Sequence, residues 1–338
     1  MKIAICHNLA APVPIRGESE DRVAEQGSAE EAAEVAAALA SLGHHPVIVP
    51  FGADPAAFLE QLNATGAELI FNLCEGLWGD SHLELHATAL LELTGLPVTG
   101  SSPLCLGLTQ DKLRTKELLL ANGLPTPRHL VARCGEPLPT AADLNFPLMV
   151  KPRSEDASQG ITDASVVDDV TALQAQVAYV HRSYRQDALI EEFIAGREFN
   201  AAILGNEDHA VVLPLSEIRF DPALARPIVS YAGKWLEDSP AWLGTVPVCP
   251  AELADAEAAA VRAVALAAFR VMGCRDYARV DIRLRAGVPY ILEVNANPDI
   301  SPGAGLARSA AAFGLDYPAL IGRIIDAARR RTEKRHAA

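Results

Sequence analysis

The start of the chain limits its fold more than any other stretch. KIAIC, PVIVPF and AELIFNL are short apolar runs, and the segments between and after them have helical composition. Runs that are apolar at nearly every position read as strands covered on both faces, the situation of a parallel sheet with helical crossovers. SAEEAAEVAAALASLGHH is the first crossover. Ser28 and Glu31 have capping-box spacing there, and Gly43 stands where a helix should end. LPVTGSS closes the unit near Gly100 with a further strand, so an α/β unit with a parallel sheet is expected over residues 1–100.

The remainder predicts a mixed α+β body. A helix begins near Thr109 and stops at ANG, and FPLMVKP, ALIEEFI and REFNAAIL are strand candidates. CPAELADAEAAAVRAVALAAFRVMGC reads as a helix with Pro250 near its first position and Gly273 as its stop. ARVDIRL and VPYILEVN form a closing hairpin before a last helix. The basic end of that helix, ARRRTEKRHAA, suits the helix dipole and then frays. With 338 residues, several domains are affordable, and a net charge of −14 leaves no basic surplus for nucleic acid. The six cysteines show no CxxC and no tight pairing, which is the usage of a reducing cytoplasm. No run has the length of a membrane span or the form of a secretion signal.

The hairpin carries the first chemistry. Arg279, Asp281 and Arg283 share one face of their strand, and Glu293 and Asn295 alternate on the next. With Arg285–Gly287 as the loop, Leu284 would pair with Val288, Asp281 with Ile291 and Arg279 with Glu293, unless a bulge shifts the register. Two carboxylates and an amide oxygen suit Mg²⁺ when phosphate and water supply its other ligands. A surface salt bridge between Arg279 and Glu293 is the plainer alternative. Lys151 ends an apolar strand before RSEDASQGI, whose backbone N–H groups around Ser158 and Gly160 could cradle a phosphate. An ordinary hairpin loop would look the same. Lys112 falls in the first turn of its helix, against the dipole, where a nearby anion would offset the cost. Glu191 and Glu198 could accept from an adenine amino group and from ribose hydroxyls, or line a solvated strand edge.

Taken in order, these signals resemble the ATP-grasp superfamily and, within it, the D-alanine–D-alanine ligases. GLPVTGSSPLCLGLTQDKLRTKELLLANGLPTP is very similar to the segment joining the first two domains of those ligases. FNLCEGLWGDSHLELHATALLELTG resembles the strand and helix before it. The likeness runs from about Ile70 to Ile325. It implies an ATP-grasp fold with a Rossmann-like N-terminal domain over 1–100. A lid over 101–185, a catalytic subdomain over 186–332 and a tail over 333–338 would follow. By the same resemblance Lys112 and Lys151 contact the nucleotide phosphates, and the loop with Ser158 and Gly160 closes over them. Glu191, the backbone from Glu192 to Ile194, and Glu198 hold adenine and ribose. Lys234 reaches the γ-phosphate, Arg279 stabilises the oxyanion, and Asp281, Glu293 and Asn295 hold a pair of Mg²⁺ ions, with Mn²⁺ as a substitute.

The implied activity is an ATP-dependent carboxylate–amine ligation through an acyl phosphate, by a cytoplasmic homodimer acting on small molecules. Departures fall at the substrate end. Ala157 replaces a loop serine, Trp235 replaces a tyrosine, and CHNLAAPVPIRGESEDRV replaces a glycine-rich start. DISPGAGLARS stands where the family has a Ser-Leu turn for the acceptor carboxylate. The expected substrates are therefore an amino acid or small carboxylate and an amine other than D-alanine. An authentic D-alanine–D-alanine ligase and a non-catalytic ATP-binding protein are the alternatives. In HLELH His82 and His86 stand one helical turn apart, but Glu84 does not directly follow the first His as a zincin requires, and Glu75, Asp80 and Glu84 are expected at the substrate mouth or in water. Asn297 reads as turn chemistry before Pro298.

Overall fold

The computed structural model describes residues 1–10, 15–18, 22–140 and 143–337, so part of the replaced glycine-rich start lies outside the described residues. Strand β1 (Lys2–Asn8), helix α1 (Arg22–Ser41), strand β2 (His45–Phe51), helix α2 (Pro55–Thr65) and strand β3 (Leu69–Leu73) build the N-terminal unit. Its strands are parallel in the order β2-β1-β3. Ile3 and Ile5 of β1 pack with Val35 and Leu39, while Ala4 and Cys6 pack on the other face with Phe58 and Leu62. Burial on both faces is what made these strands uniformly apolar. The strand expected from LPVTGSS is only a bridge between Val98 and Ile70.

The capping box is not formed, because α1 already begins at Arg22. Ser28 instead donates from Oγ to the Asn8 carbonyl at 2.9 Å, and Glu31 Oε1 accepts the Ile300 N–H at 2.9 Å. Gly43 does end the helix, with φ 78°.

Helices α3 (Glu84–Glu92), α4 (Pro103–Gln110) and α5 (Lys112–Ala121) follow. The single helix expected near Thr109 is split at Asp111, whose carboxylate accepts the N–H groups of Leu113 and Arg114 and caps α5. Strands β4 (His129–Ala132), β5 (Leu148–Pro152) and β6 (Val166–Val167), helix α6 (Val170–Tyr184) and strand β7 (Ala188–Glu192) make an antiparallel sheet ordered β4-β7-β5-β6. Since β7 pairs with both β4 and β5, this sheet ends after Glu192 and not at the expected border after 185. Cys105, Leu106 and Leu119, on α4 and α5, pack into the core of the next unit instead.

That unit comprises strands β8 (Arg197–Leu204), β9 (Val211–Val212) and β10 (Ser216–Phe220), and helices α7 (Tyr231–Trp235) and α8 (Pro240–Leu243). It continues through strand β11 (Thr245–Val248), helix α9 (Asp255–Met272), strands β12 (Tyr277–Arg285) and β13 (Val288–Asn295), and helices α10 (Gly305–Ala312) and α11 (Tyr317–Ala337). The sheet runs β11-β10-β8-β12-β13, with β9 on β8. On α9, Ala258, Val261, Ala265, Ala268 and Met272 form the buried stripe. Pro250 lies before the Ala254 cap and not near the first helical position, while Gly273 ends the helix as expected. Helix α11 continues through the residues expected as a tail. There Arg331 pairs with the fully buried Asp276 at 3.0 Å. Ile3, Phe71, Leu204, Tyr277, Leu320 and Ile324 belong to one core, which fuses the N-terminal unit to the last one. Among the described residues, no helix is long and apolar enough to cross a membrane.

The β12–β13 hairpin departs from the expected register. Its turn is only Ala286–Gly287, with φ 51° and 79°, the backbone that a tight hairpin with matched twist requires. Arg285 therefore faces Val288, and Leu284 faces Pro289. A bulge at Leu292 then lets Ile282 face Ile291 while Asp281 faces Glu293 and Arg279 faces Asn295. One extra residue reverses the side-chain alternation. Ile291 goes to the core, and Glu293 and Asn295 turn to the opposite face with Asp281.

Candidate active site

A cavity of about 680 Å³ lies between the β4–β7 sheet and the β8–β13 sheet, lined by Lys151, Glu198, Lys234, Arg279, Asp281 and Glu293 among others. Its charges are arranged as ion pairs. Lys112 Nζ lies 2.7 Å from Glu293 Oε1, donates to the Glu155 carbonyl and stands 3.4 Å from Asp156. Burial alone would lower the Lys112 ammonium and raise the Glu293 carboxyl. Their mutual attraction overrides this and moves both the other way, so the pair is charged. Glu191 is spanned by two lysines, Lys151 at 2.8 Å and Lys116 at 2.7 Å. Against burial, they hold its carboxyl down to about 2. Both Glu191 oxygens are thus engaged, and the carboxylate holds Lys151 and Lys116 in place while keeping further lone pairs for an acceptor role. Lys116 was missed. It stands one helical turn from Lys112 in KLRTK, and that spacing was its available signal.

Other polar groups of the cavity are left without a protein partner among the described residues. The N–H of Ile194 has no protein acceptor among the described residues, whereas those of Glu192 and Phe193 donate to the carbonyls of Arg128 and Pro147. The Glu192 side chain points away, accepting from Asn145 at 3.0 and 2.9 Å. Glu198 Oε2 takes two bonds from Arg283, at 2.8 and 2.7 Å, leaving Oε1 for a ligand. Met149, Ile228 and Leu292 supply apolar walls.

The loop after Lys151 curls over the cavity through positive φ at Ala157 and Ser158. Ser158 lines the cavity. Gly160 does not: a Cβ there would meet Pro152 at 2.6 Å and Tyr184 at 2.9 Å, so glycine is required by packing behind the loop. Trp235 fastens the loop tip, its Nε1–H donating to the Ala157 carbonyl at 2.9 Å. Arg16 fastens the base by donating to Glu155 at 2.5 Å and to Asp80 at 2.6 Å. Asp80 also caps the turn at Ser81–Leu83, so it is a structural tie.

On the hairpin Arg279 grips Asp281 with two bonds of 2.8 and 2.9 Å, and Asn200 and Asn295 donate to the same carboxylate. Asn295 Oδ1 and Glu293 Oε2 accept from nothing among the described residues, and both belong to residues lining the cavity. Two carboxylates with a free amide oxygen fit a hard cation that takes its remaining ligands from phosphate and water. No cluster of three or more acidic, His or Cys ligands stands ready among the described residues. Lys234 has no carboxylate partner there, only the Trp235 ring with its centroid at 4.9 Å. Burial, and then Arg279, lower its ammonium. Asn297 is more than a turn residue. It donates to Glu84 at 3.0 Å and to the Cys74 carbonyl, and accepts from Tyr277 at 2.8 Å.

Comparison with known proteins gives the family. Residues 131–326 match the family described as D-ala D-ala ligase C-terminus. A D-alanine–D-alanine ligase of Bordetella petrii is 34% identical over 294 residues, covering 85% of each chain. The chain belongs to the D-alanine–D-alanine ligase-like family of ATP-grasp enzymes. It is an ADP-forming ligase. An uncharacterised Sinorhizobium fredii protein is 38% identical over 303 residues, covering 88% of this chain and 87% of that one. The crystal structure of D-alanine–D-alanine ligase from Bacillus anthracis complexed with ATP superposes with a TM-score of 0.79 at 24% identity, covering 99% of both chains. In this ligase the Rossmann-like unit is β1–β3 with its helices, and the 680 Å³ cavity is lined from both of the later sheets.

The ligase carries one more cation that the sequence did not flag. Arg308 lies in the first turn of α10, where the dipole disfavours it, and its Nε is buried without an acceptor. Burial depresses its guanidinium, and Arg279 adds to this.

Proposed function

We propose that this ligase phosphorylates a small carboxylic acid with ATP and joins it to an amine other than D-alanine. Lys112, Lys151 and Lys234 neutralise the phosphates, the Ile194 N–H and Glu198 hold adenine and ribose, and Arg279 faces the carboxylate oxygen where charge develops. Asp281, Glu293 and Asn295 would hold Mg²⁺, in one or two ions, which supplies charge neutralisation at the transferring phosphoryl group. The acid's oxygen forms a bond to the γ-phosphorus as ADP leaves. The amine nitrogen then attacks the acyl carbon, and phosphate departs with the electron pair.

The observation that carries this reading is the unpaired Lys234 beside the Arg279–Asp281–Glu293–Asn295 group, a set that a passive nucleotide binder does not need. The substrate end supports a departure from D-alanine: Arg308 stands beside Arg279, and the walls beyond are acidic. A homodimer is part of the proposal. The test is incubation with ATP, Mg²⁺ and panels of acids and amines, following ADP and product mass. Absence of substrate-dependent ADP across the panels would refute the ligase reading, and rapid D-alanyl-D-alanine synthesis would refute the substrate reading.

A further inference from the structure

Lys116 comes close to the 680 Å³ cavity without reaching it. Lys151 and Glu191 line that cavity, whereas Lys116 stands behind Glu191 and is no part of the lining. It is 1% exposed. Its Nζ lies 2.7 Å from Glu191 Oε2 and donates to Thr126 Oγ1 at 2.8 Å. Thr126 in turn donates to the Ile291 carbonyl at 2.8 Å, so the ammonium on α5 is held from β7 on one side and tied to β13 on the other.

A buried carboxylate needs one well-placed cation, and Lys151, 2.8 Å from Glu191 Oε1, already supplies it. Two ammonium groups on one carboxylate leave a positive charge over, inside the protein. Burial and the neighbouring Lys151 bring the Lys116 ammonium down to about 8 against the pull of Glu191, which leaves it charged at neutral pH. The desolvation of that second cation is offset only in part by a carboxylate that is already paired. For stability alone, an apolar side chain would serve better at this position. The surplus charge calls for an anion from outside the protein. Lys116 and Glu191 are closed in, at 1% and 3% exposed, and the group meets the cavity through Lys151.

We infer that Lys116 is a positioning residue for the nucleotide that acts through Glu191, neutralising this carboxylate so that the charge of Lys151 is available to a phosphate. Without Lys116, Lys151 and Glu191 would close into a neutral pair. A phosphate could then recruit Lys151 only by leaving a buried carboxylate uncompensated. The inference rests on the nucleotide reading above, in which Lys151 meets the phosphates of ATP. Adenine and ribose carry no charge and make no demand on this surplus.

Lys116→Met keeps an unbranched side chain and removes the charge. Binding of ATP and of adenosine to the full chain is measured by calorimetry with Mg²⁺ present, so neither the acid nor the amine has to be known. The Kd for ATP should rise about tenfold or more, whereas that for adenosine should change less than about twofold. Adding Glu191→Gln, which keeps an acceptor oxygen but needs no counter-ion, should bring the ATP Kd back to within about threefold of the unaltered protein. A lysine that merely holds α5 against β7 would weaken both ligands together or neither. Either result would overturn the inference, as would an ATP Kd that the second substitution fails to restore. Should Lys116→Met not fold, Glu191→Gln alone is compared with the double variant. Equal ATP affinity is expected there, and a difference of about tenfold would overturn the inference. Failure of the unaltered protein to bind ATP would instead remove the nucleotide reading itself.

Discussion

Replacing Trp235 with Phe isolates one hydrogen bond. Phenylalanine keeps a ring under Lys234 and most of the apolar contact, but loses the Nε1–H that reaches the Ala157 carbonyl at 2.9 Å. The base of the loop stays tied, because Arg16 and Gln186 both donate to Glu155 Oε1, at 2.5 and 2.7 Å. Only the tip around Ala157 and Ser158 is released. A net hydrogen bond contributes about 1 kcal/mol, so the closed tip should lose about fivefold in population relative to open forms. Both tip residues hold φ above 50°, a conformation that non-glycine residues leave readily once the restraint is gone. If the tip closes over the nucleotide, the KM for ATP rises about three- to tenfold and protease cleavage at the tip accelerates by a similar factor. Steady-state kinetics and timed proteolysis measure the two effects. An unchanged KM together with unchanged cleavage would refute the latch.

Three further outcomes follow from the same geometry. Glu293→Ala removes the partner of Lys112 and the proposed metal donor, and turnover should fall at least about a thousandfold, measured as ADP release, while the chain remains folded by circular dichroism. Arg331→Met leaves the buried Asp276 with the Gly100 N–H and Asn206 as its donors among the described residues, and should lower stability by about 3 kcal/mol in urea denaturation. Glu84→Gln should stabilise the protein at neutral and alkaline pH. The folded carboxyl is raised, so the folded state holds its proton after the unfolded state has lost it. Stability therefore falls as pH rises from the ordinary carboxylate range toward the folded value, and glutamine removes that loss. Melting temperatures at pH 5 and pH 8 check it, with the gain expected at pH 8.

The parallel sheet was legible because burial on both faces leaves a one-dimensional trace in the sequence. Lys112 and Lys151 could be singled out because one begins a helix and the other lies near the end of an apolar strand, and the hairpin acids because they alternate with apolar residues. What escaped depended on partners distant in sequence. Ser28 and Glu31 have perfect local cap spacing, yet they serve Asn8 and Ile300, contacts that no local rule anticipates. Nothing local in the sequence shows that Lys116 and Lys151 meet on the two oxygens of Glu191. The Leu292 bulge had no signal of its own in an apolar strand, though it decides which way Glu293 faces. Arg308 sits within an otherwise small-residue helix start, and its position beside Arg279 depends entirely on how α10 packs.

The bond from Glu31 to the Ile300 N–H has a consequence for how such enzymes diversify. The turn from Asp299 onward is built by the last third of the chain, but its backbone is held by a carboxylate from the first tenth. Recombination that swapped the N-terminal unit for a relative's without an acid at this position would leave that amide without its acceptor. Drift at the turn is constrained in the same way by the helix opposite. The two ends of the gene are therefore expected to change together, and a hybrid made by joining halves of two such ligases should inherit the substrate range of neither parent.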